Sequence, residues 1–202
     1  MPDTTTISRL ADGKVEMITE RLLLRAASED DAPGVYEAWS DPEVMRYCTL
    51  PHENLSTTQT WLRDKMLSSP ANGVTDFIVT LRSEPNHAIG IVGINSLDSR
   101  EIGLIFSRRF WGTGIAQEAL DCVLGYLFEE REMDVVIAEV EPKNERCLRL
   151  LERRGFVVGG FKERVWEVGG VWWDAVHLTS TRESWEKRQV QLALQRGLEQ
   201  SI

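Results

Sequence analysis

Within Ile18–Ala26 (ITERLLLRA), Leu22 and Leu24 fall on one face of an extended chain and Leu23 on the other, which predicts a first strand. Ser28-Glu29-Asp30-Asp31 then offers an N-cap and an acidic first turn to a helix carrying Val35, Tyr36, Ala38 and Trp39. Asp41-Pro42 opens a short second helix, with proline at its first position. Trp61, Leu62 and Met66 have helical spacing within Ser56–Leu67, with Ser56 as N-cap, and Pro70–Gly73 reads as a turn. Strands are expected at Asp76–Leu81, Ala88–Asn95 and Glu101–Phe106, linked by a loop at Ser83–His87 and a turn at Asp98–Arg100 as an antiparallel meander.

Ala116, Ala119, Leu120, Val123 and Leu127 form a buried stripe on a helix beginning at Ile115, and Val135–Val140 is a β-branched strand beyond it. Strand, helix, strand over about thirty residues implies a right-handed crossover and a locally parallel pair. Asn144 caps a helix over Glu145–Arg153, which stops at the C′ glycine Gly155. Phe156–Val158, Phe161–Val168 and Val171–Thr179 read as strands, the last two joined by a Gly169-Gly170 hairpin. A polar helix, Ser180–Leu198, ends the chain with a thin apolar stripe of Leu192, Leu194 and Leu198. This order predicts an α/β fold with parallel and antiparallel neighbours in its sheet.

Composition narrows the function classes. The 202 residues predict one domain over 16–185, a disordered lead-in over 1–15 and a helical extension over 186–202. The net charge of −9 argues against sequence-independent nucleic-acid binding and fits attraction of a cationic substrate. No apolar run is long enough for a membrane span, and no signal peptide is visible, so a cytoplasmic protein is expected. Cys48, Cys122 and Cys147 are odd in number and widely spaced, which predicts neither disulfides nor a zinc site. His52, His87 and His177 lack ligand spacing and read as surface or core residues, so no metal is expected.

The candidate chemistry starts at Arg109-Phe-Trp-Gly-Thr-Gly-Ile-Ala116, between a strand and a helix. Unpaired N–H groups at a helix mouth attract anions, and Gly112 and Gly114 allow close approach and φ > 0. A short Gly-x-Gly loop is equally an ordinary turn.

Three stretches resemble the GCN5-related N-acetyltransferases, and within them the RimJ/RimL-like branch. TERLLLRAASEDDAPGVYEAWSDPEVMRY is similar to the branch's opening, and GGVWWDAVHL to its final hairpin. EIGLIFSRRFWGTGIAQEAL resembles the acetyl-CoA motif, on Arg109, Gly112 and Gly114; EVEPKNERCLRLLERRGF resembles the second signature, on Asn144, Gly155 and Phe156. The resemblance spans roughly Ile18–Trp185. It implies a mixed, mostly antiparallel sheet with a splayed parallel strand pair, Ile102–Phe106 and Val135–Val140, and flanking helices. It implies acetyl-CoA as co-substrate, its pyrophosphate on the N–H groups of Trp111, Gly112, Thr113, Gly114, Ile115 and Ala116, and its pantetheine arm against backbone near Phe106. Asn144 suits the amide-rich arm, and it suits helix capping equally well.

The implied reaction moves acetyl directly onto a primary amine, which needs a proton acceptor. Glu139, in an apolar strand five residues before Asn144, is the first candidate base and Glu101 the second; either is otherwise a rim carboxylate paired with arginine. Cys147 stands where the branch tends to place a serine and is a candidate acid or a small buried hydrophobe. Trp39, Tyr47, Trp61, Trp166, Trp172 and Trp173 are available to wall an acceptor pocket or to pack on the sheet. The acceptor is a peptide N-terminus or a small amine, with monomer and homodimer both open. A non-catalytic CoA-binding sensor of the same fold is the alternative. A generic nucleotide binder fits poorly, because Gly-x-x-x-x-Gly-Lys-Ser/Thr and Gly-x-Gly-x-x-Gly spacings are absent.

Overall fold

The strands assemble into two sheets in a computed structural model of the chain, which describes residues 5–11, 13–67, 76–94 and 98–199, without the side chains of 196–199. In the larger sheet β1 (Thr6–Arg9), β2 (Val15–Ile18), β3 (Leu22–Arg25), β4 (Asp76–Leu81), β5 (Glu84–Ile94) and β6 (Ile102–Phe106) are antiparallel neighbours in chain order. The smaller sheet has the order β7 (Val135–Val140), β9 (Val171–Thr181), β8 (Val157–Val168). Among the described residues the two sheets meet in one parallel bridge, Glu101 opposite Ile137, where the Ile137 N–H donates to the Arg100 carbonyl at 2.9 Å. Beyond that bridge β6 and β7 part, so the expected splayed parallel pair and mixed, mostly antiparallel architecture are present.

Alternation along β4 explains the layering. Phe77 and Val79 face a core with Ala119, Leu120, Val123 and Leu124 of α4 (Ile115–Gly125), whereas Ile78 faces a second core with Ala32, Val35, Ala38 and Trp39 of α1 (Ala32–Trp39). Each of these side chains is buried, and full burial stabilises by roughly 1.5–3 kcal/mol per large apolar residue. Helices α2 (Pro42–Met45) and α3 (Leu55–Leu62) lie on the α1 side. Helix α5 (Glu145–Glu152) ends at Gly155, with φ +87°, and α6 (Arg182–Glu199) closes the described chain.

Several boundaries differ from expectation. Residues 1–15 are not wholly a disordered lead-in, because Thr6–Arg9 pairs with Val15–Ile18. The expected strand Ile18–Ala26 is broken by a turn at Thr19–Arg21, where the Thr19 N–H donates to the Leu22 carbonyl. Strand β5 starts at Glu84 rather than Ala88; register shifts around Thr80 absorb Pro85, and β6 pairs only with Gly90–Ile94, so Pro85 interrupts no ladder on that side. Asn54, not Ser56, caps α3, its Oδ1 accepting from the Thr57 N–H at 3.0 Å. Val157–Val168 is one strand with an irregularity at Gly159, rather than two. The expected turn at Pro70–Gly73 lies outside the described residues.

Candidate active site

Strand β6 runs into a tight turn at Arg108–Phe110, then the glycine loop, then α4. Gly112 (φ +77°) and Gly114 (φ +83°) are both left-handed, a conformation that costs other L-residues roughly 1–2 kcal/mol. No acceptor among the described residues takes the N–H groups of Gly112, Gly114, Ile115, Ala116 or Gln117. Two N–H groups expected in the cradle are otherwise engaged: Trp111 donates to the Arg108 carbonyl at 3.1 Å and Thr113 to the Phe110 carbonyl at 3.4 Å. The open set is therefore shifted one residue into the helix, where the macrodipole adds positive potential.

The β2–β3 turn fastens this loop, through residues that sequence reasoning did not single out. Arg21 donates to the Thr113 carbonyl from Nη1 (3.0 Å) and to Glu118 Oε2 from Nε (2.6 Å), and its backbone N–H donates to Glu118 Oε1 (2.9 Å). The Thr19 hydroxyl donates to the same Oε1. These bonds hold Glu118 below the usual carboxylate range, against the opposing effect of burial, the largest single influence on it. Arg109 is exposed, its guanidinium 4.7 Å from the Phe110 ring centre.

The Ser107 N–H donates to the Ile89 carbonyl, so by strand alternation Phe106 turns its backbone groups toward the parted β7 side. There the Phe106 carbonyl accepts from Trp111 Nε1 at 3.0 Å, and Arg146 of α5 lies 4.4 Å over the Trp111 ring. Asn144 caps α5, its Oδ1 accepting from the Cys147 N–H at 3.2 Å, which leaves its amide N–H groups without a partner among the described residues. Burial pushes the Cys147 thiol up to about 12.

Glu139 and Glu101 come together at the seam between the sheets. Glu101 forms the bridge with Ile137; burial, reinforced by the charge of Glu139, raises its carboxyl above the usual range, with Lys162 acting the other way. Glu139 lies two residues along β7, its side chain only 7 % exposed. Its Oε1 accepts from Lys162 Nζ at 2.5 Å and His177 Nδ1 at 2.7 Å, whereas Oε2 is buried without a partner. The corresponding position two residues along β6 is Gly103, and a side-chain carbon built there meets nothing within 4 Å. His177 and Lys162 were not read as site residues. They reach Glu139 through the β7–β9–β8 register, which no spacing in the sequence states.

The aromatic candidates divide. Trp39 and Trp61 lie 4.2 Å apart between centres, tilted by 43°, within the α1 core, with His52 beside them, and serve packing. Trp166 faces Trp173 across the β8–β9 hairpin, and Tyr47 meets Trp173 edge-on at 6.4 Å, which joins the α2 side to the hairpin. Trp172 is exposed beneath Arg164. Among the described residues no three His, Cys, Asp or Glu side chains cluster as a metal site, and no helix is long and apolar enough to cross a membrane.

A helix-mouth glycine loop beside two parting strands is the arrangement that the resemblance to the acetyltransferases implies. Residues 21–157 match the acetyltransferase (GNAT) domain model, and the chain belongs to that family. It is similar to the uncharacterized N-acetyltransferase p20 of Bacillus licheniformis, 32 % identical over 69 % of this chain and 81 % of that protein. It also resembles a GNAT-family acetyltransferase structure from Bacillus anthracis, with TM-score 0.73 and 27 % identity over 83 % of this chain and 99 % of that one. The fold is shared with RimL, a ribosomal L7/L12 alpha-N-protein acetyltransferase determined with coenzyme A, with TM-score 0.71 and 15 % identity over 81 % of this chain and 96 % of that one.

Proposed function

We propose that this acyltransferase moves an acetyl group from acetyl-CoA directly onto a primary amine, with Glu139 as the proton acceptor. The observation that carries the reading is the buried, unpartnered Oε2 of Glu139 at the seam, opposite the bare position of Gly103. A buried carboxylate oxygen without a donor costs about 1–3 kcal/mol or more, and an ammonium N–H placed there would relieve it. The open N–H groups of Gly112 and Gly114–Gln117 suit a pyrophosphate, and the free amide of Asn144 and the Phe106 edge suit the arm.

The proton balance is simple. Glu139 takes a proton from the ammonium, the freed amine attacks the thioester carbonyl, and the carbon–sulfur bond breaks toward sulfur. The nitrogen's second proton accompanies the thiolate or passes to solvent. Cys147 is a poor source for the thiolate, since a thiol pushed up to about 12 is a weaker acid than an ordinary thiol near about 8.5.

A non-catalytic sensor would need the donor loop but has no use for an orphaned buried carboxylate oxygen. The opening motif over Thr19–Tyr47 favours the RimJ/RimL-like branch, and the free thiols fit a reducing compartment such as the cytoplasm. The acidic chain and the Tyr47–Trp173–Trp166 wall favour a cationic amine, carried by a metabolite or a peptide N-terminus. Incubation with acetyl-CoA and a panel of both kinds of amine, followed by free-thiol release, tests the reading. Turnover with an amine is expected; silence across the panel, with acetyl-CoA still bound, would leave the sensor.

A further inference from the structure

The reading of Glu139 as base leaves its environment unexplained. A carboxylate has two equivalent oxygens, and here they are treated unequally: Oε1 takes both donors and Oε2 none. The two donors differ in kind. Lys162 is half exposed, with 51 % side-chain accessibility, and ends in a flexible ammonium that fixes charge better than direction. His177 is only 23 % exposed, sits directly opposite Glu139 in the β7–β9 register, and presents a rigid ring.

An ionised carboxylate only accepts hydrogen bonds, so the Nδ1 facing it at 2.7 Å carries the proton. Strand β8 passes beside this ring without crowding it. Its register slips between Val158 and Gly160 opposite His177, and a side-chain carbon built on Gly159 would stand 3.4 Å from the ring's Cδ2. A carbon built on Gly160, the register partner of His177, meets nothing within 4 Å, so no side chain from that position displaces the imidazole.

Resting on the transferase reading above, we propose that His177 is a positioning residue for the reaction: its Nδ1–H pins Oε1 of Glu139 and thereby aims Oε2 at the amine. Among the described residues the charged groups around the pair are Lys162 on β8 and Glu101 just before β6. The imidazole exchanges no proton in this role; it holds one oxygen so that the other is the proton acceptor.

The test compares two polar substitutions by steady-state kinetics, using the amine that wild type turns over fastest. His177→Asn puts an amide N–H where Nδ1 stands, whereas His177→Gln carries its N–H one atom further out, toward the Nε2 position. We expect His177→Gln to lower kcat about tenfold or more, and His177→Asn to stay within about threefold of wild type, both with an unchanged KM for acetyl-CoA. In a Glu139→Gln background, His177→Gln should cost nothing further, because its effect runs through Glu139. Equal kcat for the two variants, or a full additional loss in the Glu139→Gln background, overturns the proposal while the transferase reading stands. Absence of wild-type turnover with every amine overturns that reading and this inference with it.

Discussion

The proposed chemistry turns on Glu139, one of whose oxygens is occupied while the other is not. Glu139→Gln keeps the shape and removes the basicity. It should lower kcat roughly 10²-fold or more near neutral pH and leave acetyl-CoA affinity, measured by calorimetry, within about twofold. Cys147→Ala gives the opposite expectation. A thiol pushed up to about 12 is a poor proton donor to the leaving group, so kcat should stay within about threefold, and a loss of tenfold would support Cys147 as the acid. Glu139 was legible because a carboxylate in an otherwise apolar strand is conspicuous. His177 was not: a lone histidine carries no spacing signal, and its meaning comes from standing opposite Glu139 on a strand 38 residues away. Asn144 was legible in both of its readings, and the structure shows the capping one directly.

At the level of elements, the loop before α4 is held from outside by a different part of the chain. Arg21 and Thr19 clamp Glu118, and Arg21 also holds the Thr113 carbonyl, so the β2–β3 turn fixes the orientation of the glycine loop. Arg21→Ala should weaken acetyl-CoA binding several-fold by calorimetry while α4, buried along Ala119, Leu120 and Val123, stays helical by circular dichroism. Unchanged affinity would show that the loop keeps its shape unaided. The helices and the meander followed from hydrophobic spacing, since each has one face on a core. The turn at Thr19–Arg21 did not, because it contains no Gly, Pro, Asn or Asp and is bonded instead to a glutamate 97 residues away. The cap of α3 was misplaced for a related reason: Asn54 and Ser56 are both good caps, and only the folded backbone chooses.

Across the whole molecule, the two sheets share little more than the contact of Glu101 with Ile137, yet α4 and the crossover bind them into one core containing Phe77, Leu120, Val136 and Leu178. The other core, on the Ile78 face of β4, has an ionisable neighbour. Burial pushes Asp76, at the start of β4, up to about 6. The folded state thus holds this proton more tightly than the unfolded chain. The ionised carboxylate is a full penalty above about pH 6, and the penalty fades as pH falls toward the usual carboxylate range. Asp76→Asn should therefore raise stability by about 1–2 kcal/mol at pH 8, with the gain closing toward pH 4, as read from urea unfolding at both pH values. An equal gain at both would place its cause outside ionisation. The global arrangement was legible in outline, because a strand–helix–strand unit implies its own handedness. The splaying of β6 from β7 was carried by the family resemblance, which implied a single sheet, and not by any apolar pattern; the division into two sheets emerges only in the fold.

The parting of β6 from β7 also bears on how such a molecule can change over generations. The glycine loop belongs to the six-stranded sheet and its helix, whereas Trp166, Trp173, Lys162 and His177 belong to the three-stranded one. Few backbone bonds cross between them among the described residues, so on the proposed reading mutations around Trp166 and Trp173 of the β8–β9 hairpin would remodel the acceptor side without disturbing the glycine loop. Selection can act on the two halves at different rates, and diversity among descendants should accumulate on the hairpin side of the seam.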